Sequence, residues 1–309
     1  MVLDITHSYK QLNIHKKAAI AVGYFDGMHI GHRKLISTMC KYAEEKDMTS
    51  VLLTFDMSEL RADGKGKKDL FPREYSVFQA EKLGAEIFAE IPFADIRDMT
   101  PKKFCREVLA DEKGLHAGAV FCGEDFRFGK NRSGSVEELR LFGADNGYDV
   151  EAISGVYIGD ELVSTSKIKD AIENGDIKKA NTMLGEPYAM SGEVIHGNHL
   201  ARGLGFPTAN VLFPPNVVIP KKGVYLTETT IGEYKYRSIT NIGTRPTLTD
   251  DVDSTTETHI LDFSGDLYGK IITVIFYDFV RPEQKFFSVK ELKCVVEDNI
   301  RYARRAVID

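Results

Sequence analysis

The 309-residue chain has no tryptophan, only 10 prolines and no long uninterrupted run of apolar residues. Its 43% hydrophobic and 28% charged residues are ordinary for a globular fold. This balance excludes a collagen-like, mucin-like or wholly disordered chain. No stretch reaches the ~18 apolar residues of a membrane-spanning helix, and the polar stretch Met1–Lys17 is unlike a signal peptide. We therefore expect a cytoplasmic protein.

Cysteine is also scarce, with Cys40, Cys105, Cys122 and Cys294 scattered along the chain. None forms a C-x-x-C pair, and none lies at zinc-binding spacing from a histidine. Such thiols are typical of small buried hydrophobic residues in a reducing compartment.

A basic excess is missing as well, because 40 Lys and Arg face 46 Asp and Glu, giving a net charge of −6. This balance argues against a dominant nucleic-acid role but leaves room for a local phosphate pocket. We expect small-molecule partners, with no nucleic acid and no membrane, and the sequence does not predict the oligomeric state.

The length predicts two domains, and a change of pattern near Gly185–Tyr188 divides them into residues 1–187 and 188–309. In the first domain, apolar strand-like runs alternate with stretches of helical spacing. This alternation predicts a parallel sheet with right-handed crossovers. The predicted strands are Ala18–Phe25, Ser50–Phe55, Glu86–Ile91, Ala119–Cys122 and Asp149–Ile153; the predicted helices are His32–Glu45, Phe78–Leu83, Pro101–Leu109 and two within Ser166–Leu184.

The second domain reads as six strands separated by turn signals, which predicts an antiparallel barrel. A last helix is predicted to begin at Ser288, with Glu291 three residues on completing a capping box. Its apolar face is expected to pack on the barrel and comprises Leu292, Val295, Val296 and Ile300.

The segment Gly23–His32, GYFDGMHIGH, connects the first strand to the first helix. Its glycines allow a sharp turn and a close approach to a ligand, and a helix N-terminus suits phosphate. His29 and His32 are expected to donate hydrogen bonds to phosphate oxygens and, as imidazolium ions, to add charge. Two alternatives remain: a histidine that only caps the helix, and a zinc site, for which no third ligand stands out.

The segment Gly197–Asn210, GNHLARGLGFPTAN, is the second candidate site. Gly203 and Gly205 can wrap phosphates through backbone N–H groups. Thr208 and Asn210 present oxygen ligands of the kind that Mg²⁺ accepts beside ATP, and Pro207 stiffens the pair. The alternative is an ordinary hairpin loop.

Six blocks in order resemble the bacterial bifunctional riboflavin kinase/FAD synthetase family. The blocks are Gly23–His32, Gly123–Gly129, Ser164–Lys169, Gly205–Asn210, Asn241–Pro246 and Glu257–Phe263. The resemblance implies a Rossmann-like nucleotidyltransferase domain followed by an antiparallel β-barrel riboflavin kinase domain with a C-terminal helix. It also implies that riboflavin and ATP give FMN, that FMN and ATP give FAD and pyrophosphate, and that both steps need Mg²⁺.

In the N-terminal domain the resemblance implies that His29 and His32 contact the phosphates of ATP. It assigns Asp125 to the flavin, where the alternative is a turn-capping carboxylate. The other residues that it assigns to ATP are Gly23, Phe25, Gly27, Ser164, Thr165 and Lys169.

In the C-terminal domain the resemblance makes Glu257 the base, with Thr208 and Asn210 on Mg·ATP beside Gly203 and Gly205. The alternative for Glu257 is an exposed strand carboxylate. Arg281 and Phe286 match the segment that closes over the flavin, and a turn with a core Phe explains them almost as well. His196, His199 and His259 are interpreted as loop and strand histidines.

Two departures from the family pattern affect the N-terminal domain. Met57, Ser58 and Glu59 follow Phe55-Asp56 where Pro-His-Pro is usual, and Lys169 replaces an Arg, losing the bidentate fork. They motivate a second hypothesis, a riboflavin kinase with an inactive N-terminal domain. Two further hypotheses are a non-catalytic flavin-binding regulator and an unrelated adenylyl- or cytidylyl-transferase.

Overall fold

The computed structural model describes residues 2–6, 14–58, 68–197, 205–243 and 255–308. Contacts divide the chain into two compact units, Met1–Ser164 and Thr165–Asp309. None of the helices in these described segments is long and apolar enough to cross a membrane.

The N-terminal unit contains a parallel sheet of six strands in the order β1-β4-β3-β2-β5-β6. Its central strand β2 alternates between two cores, with Ile20 and Val22 on one face and Ala19 and Ala21 on the other. The predicted parallel α/β fold is confirmed. The strands are β1 Leu3–Thr6, β2 Ala18–Val22, β3 Thr49–Asp56, β4 Ile87–Pro92, β5 Ala117–Gly123 and β6 Asp149–Ile153, followed by the hairpin β7 Tyr157–Ile158 and β8 Glu161–Leu162.

Helices connect these strands across the faces of the sheet. The first, α1, buries Leu35, Ile36, Met39 and Ala43, which lie at helical spacing in the sequence. The unit's helices are α1 Ile30–Glu45, α2 Arg73–Lys82, α3 Phe93–Ile96, α4 Pro101–Phe104, which continues as a π-helical turn Cys105–Ala110, and α5 Val136–Asn146.

Helix α5 is absent from the sequence prediction although its capping signals are complete. The Ser135 hydroxyl accepts from the Glu138 N–H, and the Glu138 carboxylate accepts from the Ser135 N–H. Gly147 ends the helix at φ 77°, in the left-handed region that favours glycine. The S-x-x-E signal alone could have located this helix.

The C-terminal unit begins with helices α6 Thr165–Asn174 and α7 Ile177–Leu184. Helix α7 contacts strand β14 of the barrel, and the Lys221 N–H donates to the Ile172 carbonyl of α6. The boundary between the two compact units, after Ser164, therefore comes before these helices. The boundary predicted from the sequence, near residue 187, comes after them.

Six antiparallel strands then close into a barrel in the order β10-β13-β12-β11-β14-β9, as predicted. Hydroxyl groups link strands β11, β12 and β13 in its interior, including Thr227, Ser238, Thr240 and Thr258, all fully buried. The strands are β9 Ala189–Ile195, β10 Ala209–Leu212, β11 Gly223–Ile231, β12 Tyr234–Gly243, β13 Thr255–Ile260 and β14 Ile271–Arg281.

The final helix, α8 Val289–Arg305, contacts the outside of β12, with Ala303 fully buried. Its N-cap is Ser288, as predicted, and the Ser288 hydroxyl accepts from the Glu291 N–H at 3.1 Å. The Glu291 carboxylate accepts from the Phe287 N–H rather than from the N-cap itself, so the predicted capping box is only half formed. Arg237 of β12 donates to the Ala303 and Ala306 carbonyls at the helix C-terminus.

All four cysteines are free thiols. Cys105 and Cys122 are buried, and burial raises the pKa of the Cys105 thiol to about 11 and that of Cys122 to about 12. Cys294 is exposed on α8, so the expectation of buried cysteines is wrong at this position. Ile300, of the apolar face predicted for this helix, packs against the barrel cluster that includes Leu226 and Ile239, and residue 294 lies on another face of the helix.

Candidate active sites

The loop after β2 makes a tight turn before helix α1. Gly27 has φ 88°, and a Cβ there would lie 2.5 Å from Cδ1 of Leu70. At Gly23 and Gly31 an added Cβ would instead lie 3.2 Å from the rings of Phe25 and His29. Only the middle glycine therefore serves the turn by its positive φ; the outer two make room for neighbouring rings.

His29 is the N-cap of α1, and its Nδ1 accepts from the His32 N–H at 3.3 Å. The capping alternative is thus realised in the structure. Because Nδ1 is the acceptor, the proton of the neutral His29 ring belongs on Nε2, which remains a donor. The two histidine rings stack with centroids 3.6 Å apart, and the Phe25 ring meets His32 edge-on at 5.2 Å.

Burial favours the neutral form of both stacked rings. Burial lowers the pKa of His29 to about 4 and that of His32 well below its usual value. The folded loop thus disfavours the imidazolium form through which the two rings were expected to add charge. Each ring can still donate one N–H, and the α1 N-terminus adds backbone donors.

The loops after β2 and β5 leave the sheet at the same edge. The chain proceeds from β2 to β3 and β4 on one side and returns through β5 and β6 on the other. Ligands of open α/β sheets bind in the crevice at such a switch point, at the carboxyl ends of the strands. The β5 loop carries the exposed Asp125 in a turn closed by the Phe126 N–H and the Gly123 carbonyl at 3.0 Å.

A cleft lies on the other side of the β2 loop, between β3 and α2. Arg73, at the start of α2, pairs with Glu90 of β4 and binds both carboxylate oxygens of Asp4. The sequence analysis did not single out these charges, because they are distant along the chain. The lining is rich in aromatic residues and includes Tyr24, Phe25, Phe55, Phe71, Phe88, Arg73 and Glu90.

The first departure from the family pattern lies beside this cleft. The Asp56 carboxylate accepts from the backbone N–H and the hydroxyl of Ser58, both at 2.8 Å. Met57 lies between the two polar residues, and Ser58 has helical backbone at the limit of the described segment. Glu59 lies outside the described residues.

The residues predicted to complete the ATP site from Ser164–Lys169 are divided between the units. Ser164 ends the N-terminal unit, whereas Thr165 and Lys169 lie on α6 in the C-terminal unit. Their roles at ATP stay predictions.

In the barrel, Glu257 of β13 is paired on both sides with asparagines. Asn210 of β10 lies directly opposite it, and so does Asn241 of β12. Residues directly opposite on neighbouring strands share a face, with Cβ atoms ~5 Å apart. Glu257 is half-buried, and burial raises the pKa of its carboxyl. Asn241, the first residue of the block Asn241–Pro246, was given no role in the sequence analysis, and the strand register makes it a candidate site residue.

Thr208, which directly precedes β10, and Asn210, the second residue of β10, lie at the end of the barrel that carries Glu257. Gly205 has φ 90°, as a tight phosphate-binding turn allows, and Thr208 and Asn210 are half-buried. Hydroxyl and amide oxygens, with the Glu257 carboxylate opposite, form the all-oxygen donor set that suits Mg²⁺. Gly203 lies outside the described residues.

Arg281 and Phe286 meet at the end of β14. The Arg281 guanidinium lies 5.8 Å from the centre of the half-buried Phe286 ring, and burial lowers the pKa of Arg281. Its Nε donates to Oδ1 of Asn299 at 3.4 Å. Asn299 is the buried polar residue of α8. Its contact with Arg281 is a feature of the candidate flavin site that helical periodicity alone does not reveal.

The histidines interpreted as structural differ in their surroundings. His196 stacks on Tyr268 with centroids 3.8 Å apart. His259 lies on β13, and its Nδ1 is 2.8 Å from the Pro207 carbonyl oxygen. His199 lies outside the described residues.

Comparison with known proteins matches both halves of the chain. A FAD synthetase family model matches residues 11–167, and a riboflavin kinase family model matches residues 184–307. A solved structure described as a macrolide-efflux protein from Streptococcus pneumoniae superposes with a TM-score of 0.90 at 26% identity, covering 99% of this chain and 100% of that one.

Curated relatives are similar over nearly the whole length. A bifunctional riboflavin kinase/FMN adenylyltransferase of Bacillus subtilis is 34% identical over 98% of this chain and 97% of that protein. Proteins of the same description from Listeria monocytogenes and Escherichia coli are 33% and 32% identical, each over 90% of this chain and 88% of the relative. The chain therefore belongs to the bifunctional riboflavin kinase/FMN adenylyltransferase family.

Proposed function

We propose that the chain makes FAD in two steps. The C-terminal unit phosphorylates riboflavin with ATP to give FMN and ADP, and the N-terminal unit adenylylates FMN with a second ATP to give FAD and pyrophosphate. The observation that carries the assignment is the pairing of Glu257 with Asn210, which sets a carboxylate beside the turn that contains Thr208.

In the kinase step the ribityl 5′-hydroxyl of riboflavin attacks the γ-phosphorus of ATP. The P–O bond to the β-phosphate breaks, and ADP leaves. The Glu257 carboxylate orients the hydroxyl and accepts its proton as the new bond forms. Glu257 is suited to this role because it is half-buried and has amide side chains, rather than cations, directly opposite it.

Thr208 and Asn210 are the residues that would hold Mg²⁺ with ATP, with Gly203 and Gly205 beside the phosphates. The ion supplies charge neutralisation on the phosphate chain. Arg281 and Phe286 would border the flavin, held by the hydrogen bond of Arg281 to Asn299 on α8.

In the adenylyl step a phosphate oxygen of FMN attacks the α-phosphorus of ATP, and pyrophosphate leaves. His29 and His32 would donate hydrogen bonds from neutral rings to the phosphates, which the α1 N-terminus also attracts. Gly23, Phe25 and Gly27 would shape the loop for ATP, and Asp125, on the β5 loop, would bind the flavin. Ser164, Thr165 and Lys169 would add hydroxyl and ammonium donors.

Separation of flavins by chromatography tests both steps. Riboflavin with ATP and Mg²⁺ should give FMN and then FAD, and the variant Glu257→Ala should convert supplied FMN to FAD while making no FMN. Equal loss of both products in that variant would contradict two separate sites. Absence of nucleotide consumption with either flavin would overturn the function itself.

A riboflavin kinase with an inactive N-terminal unit is the second candidate. The sequence departures at Met57–Glu59 and Lys169 motivate it. The family models match both halves of the chain and the curated relatives are described as bifunctional, which supports the two-step function instead. Incubation of FMN with ATP and Mg²⁺ decides between the two, because FAD and pyrophosphate appear only if the N-terminal unit is active. We further propose that both reactions take place in the cytoplasm, on small-molecule substrates and without nucleic acid or membrane.

A further inference from the structure

We propose that His259, which the sequence suggests is only a strand histidine, positions the Mg·ATP-binding turn of the kinase. The inference rests on the proposed kinase function, since it concerns the same turn. His259 touches the backbone of this turn rather than any substrate, so it is a positioning residue and not a catalytic one.

The observation is a bond from strand β13 to the segment before β10. The Nδ1 atom of His259 lies 2.8 Å from the Pro207 carbonyl oxygen. The ring of Phe206 meets the His259 ring at 89°, with centroids 6.0 Å apart. One side chain of β13 therefore contacts both residues that precede Thr208.

This bond lies where the backbone pairing of the two strands stops. Asn210 is paired with Glu257 and Ala209 with Thr258, and no pair is formed beyond Ala209 in this register. Proline has no N–H to continue a ladder. The Pro207 carbonyl can still accept, and the His259 ring donates to it, which extends the attachment of this segment to β13 by two residues.

The consequence falls on Thr208. Its neighbour Ala209 is tied to β13 by strand pairing, and its other neighbour Pro207 is tied to β13 by His259. Thr208 is thus fixed on both sides. Since His259 is two residues from Glu257 and on the same face of β13, one strand fixes both the base and the turn that would hold Mg·ATP.

The bond also fixes the tautomer of His259. A carbonyl oxygen can only accept, so Nδ1 must carry the proton. An asparagine side chain can place an N–H near the position of Nδ1, whereas leucine has a similar shape and no donor. The variants His259→Asn and His259→Leu therefore form a matched pair that differs in the ability to donate.

Steady-state kinetics of both variants tests the positioning role. A net contribution of ~0.5–1.5 kcal/mol for one hydrogen bond corresponds to a roughly twofold to tenfold effect. His259→Leu should raise the KM for ATP and the Mg²⁺ concentration needed for half-maximal FMN formation by that factor, with the KM for riboflavin unchanged. His259→Asn should restore wild-type values, and thermal unfolding followed by circular dichroism confirms that the barrel of each variant is folded.

Equal kinetics of His259→Leu and wild type would overturn the proposal, and so would equal impairment of both variants. A second measurement does not depend on activity. In ¹⁵N-histidine spectra at a pH where the rings are neutral, the resonances lost in His259→Asn should show a protonated Nδ1. An Nε2-protonated ring would overturn the proposal. If wild type makes no FMN, the kinase function fails, while the spectra still decide the His259 bond.

Discussion

The amide of Asn210 lies directly against the backbone of Gly197, so that a Cβ added at Gly197 would be 2.6 Å from Oδ1 of Asn210 and closer still to its Nδ2. Gly197 follows strand β9, and Ile195 of that strand is paired with Asn210. The candidate metal ligand is thus held between Glu257 on one side and a bare backbone on the other.

Replacement of Gly197 by alanine should displace Asn210 and impair the kinase alone. Small misplacements of a reacting group can cost ~100-fold in rate, and we expect a decrease of that order in kcat/KM for FMN formation. FMN adenylylation should be unchanged.

A double-mutant cycle isolates the contact between Gly197 and Asn210. If the added methyl group acts only through Asn210, Gly197→Ala should have little further effect in an Asn210→Ala background. A full additional loss in that background would show that the alanine disturbs something else.

The sequence predicted the elements whose signal is local. The glycine-rich loop between β2 and α1 could be read directly, because an apolar strand and a helical period flank it. Glu257 and Asn210 could be named individually, but their pairing could not, since it depends on the register between strands distant in sequence. The contacts of Gly197, His259 and Asn299 depend on tertiary packing in the same way.

The charge state of the histidines in the GYFDGMHIGH loop shows another limit of the sequence. The sequence places His29 and His32 at a helix start, but it does not show that burial lowers the pKa of both rings, because burial and stacking are properties of the folded loop. Strand β1 was missed because a short segment at the sheet edge carries little periodic signal.

Replacement of Glu257 by glutamine should abolish the kinase while stabilising the fold at neutral pH. Burial raises the pKa of this carboxyl, so the native state disfavours its ionised form, and the neutral amide removes that cost. We expect kcat for FMN formation to decrease ~100-fold or more and the melting temperature to rise. A lower melting temperature would show that the carboxylate stabilises the barrel.

The raised pKa of Glu257 also determines how the rate of FMN formation by the wild-type protein depends on pH. As pH falls through the raised pKa of Glu257, the carboxylate becomes protonated and cannot accept the hydroxyl proton. FMN formation should therefore decline at a pH above the usual range for a glutamate, and rate measurements on the acidic side test this. A decline only near pH 4 would contradict the effect of burial.

The His29 ring should make the fold sensitive to mild acid. In the unfolded chain it binds a proton below pH ~6.5, whereas the folded ring does so only below about 4. Between these values the unfolded state holds more protons, so the free energy of unfolding decreases as pH falls. At ~1.4 kcal/mol per pH unit, the full decrease is ~3 kcal/mol, reached near pH 4.

Denaturant unfolding at pH 7.5 and pH 5 checks this dependence. His29→Asn keeps an N-capping acceptor without a titrating ring, so it should reduce the slope and leave the part that the buried His32 contributes. The same substitution at His15, which is exposed, serves as the matched control and should leave the profile unchanged. An unaltered slope in His29→Asn would remove His29 as the source of the acid sensitivity.

The buried hydroxyl chain of the barrel allows a test of how polar groups specify its interior. Thr240 Oγ1 lies 2.8 Å from Thr227 Oγ1 and 3.0 Å from Thr258 Oγ1, and all three residues are fully buried. Thr240→Val preserves the shape but removes the central hydroxyl, leaving Thr258 without this bond. We expect a loss of ~1–3 kcal/mol in the free energy of unfolding, measured by denaturant titration.

The double variant Thr240→Val, Thr258→Val supplies the matched comparison. Once both partners are apolar, no buried hydroxyl of this pair remains unsatisfied, so the double variant should be more stable than Thr240→Val alone. Additive losses would instead mean that each hydroxyl stabilises the barrel through separate bonds. Because Thr258 directly precedes His259 and follows Glu257, FMN formation in both variants also reports whether the interior bonds hold strand β13 in its working position.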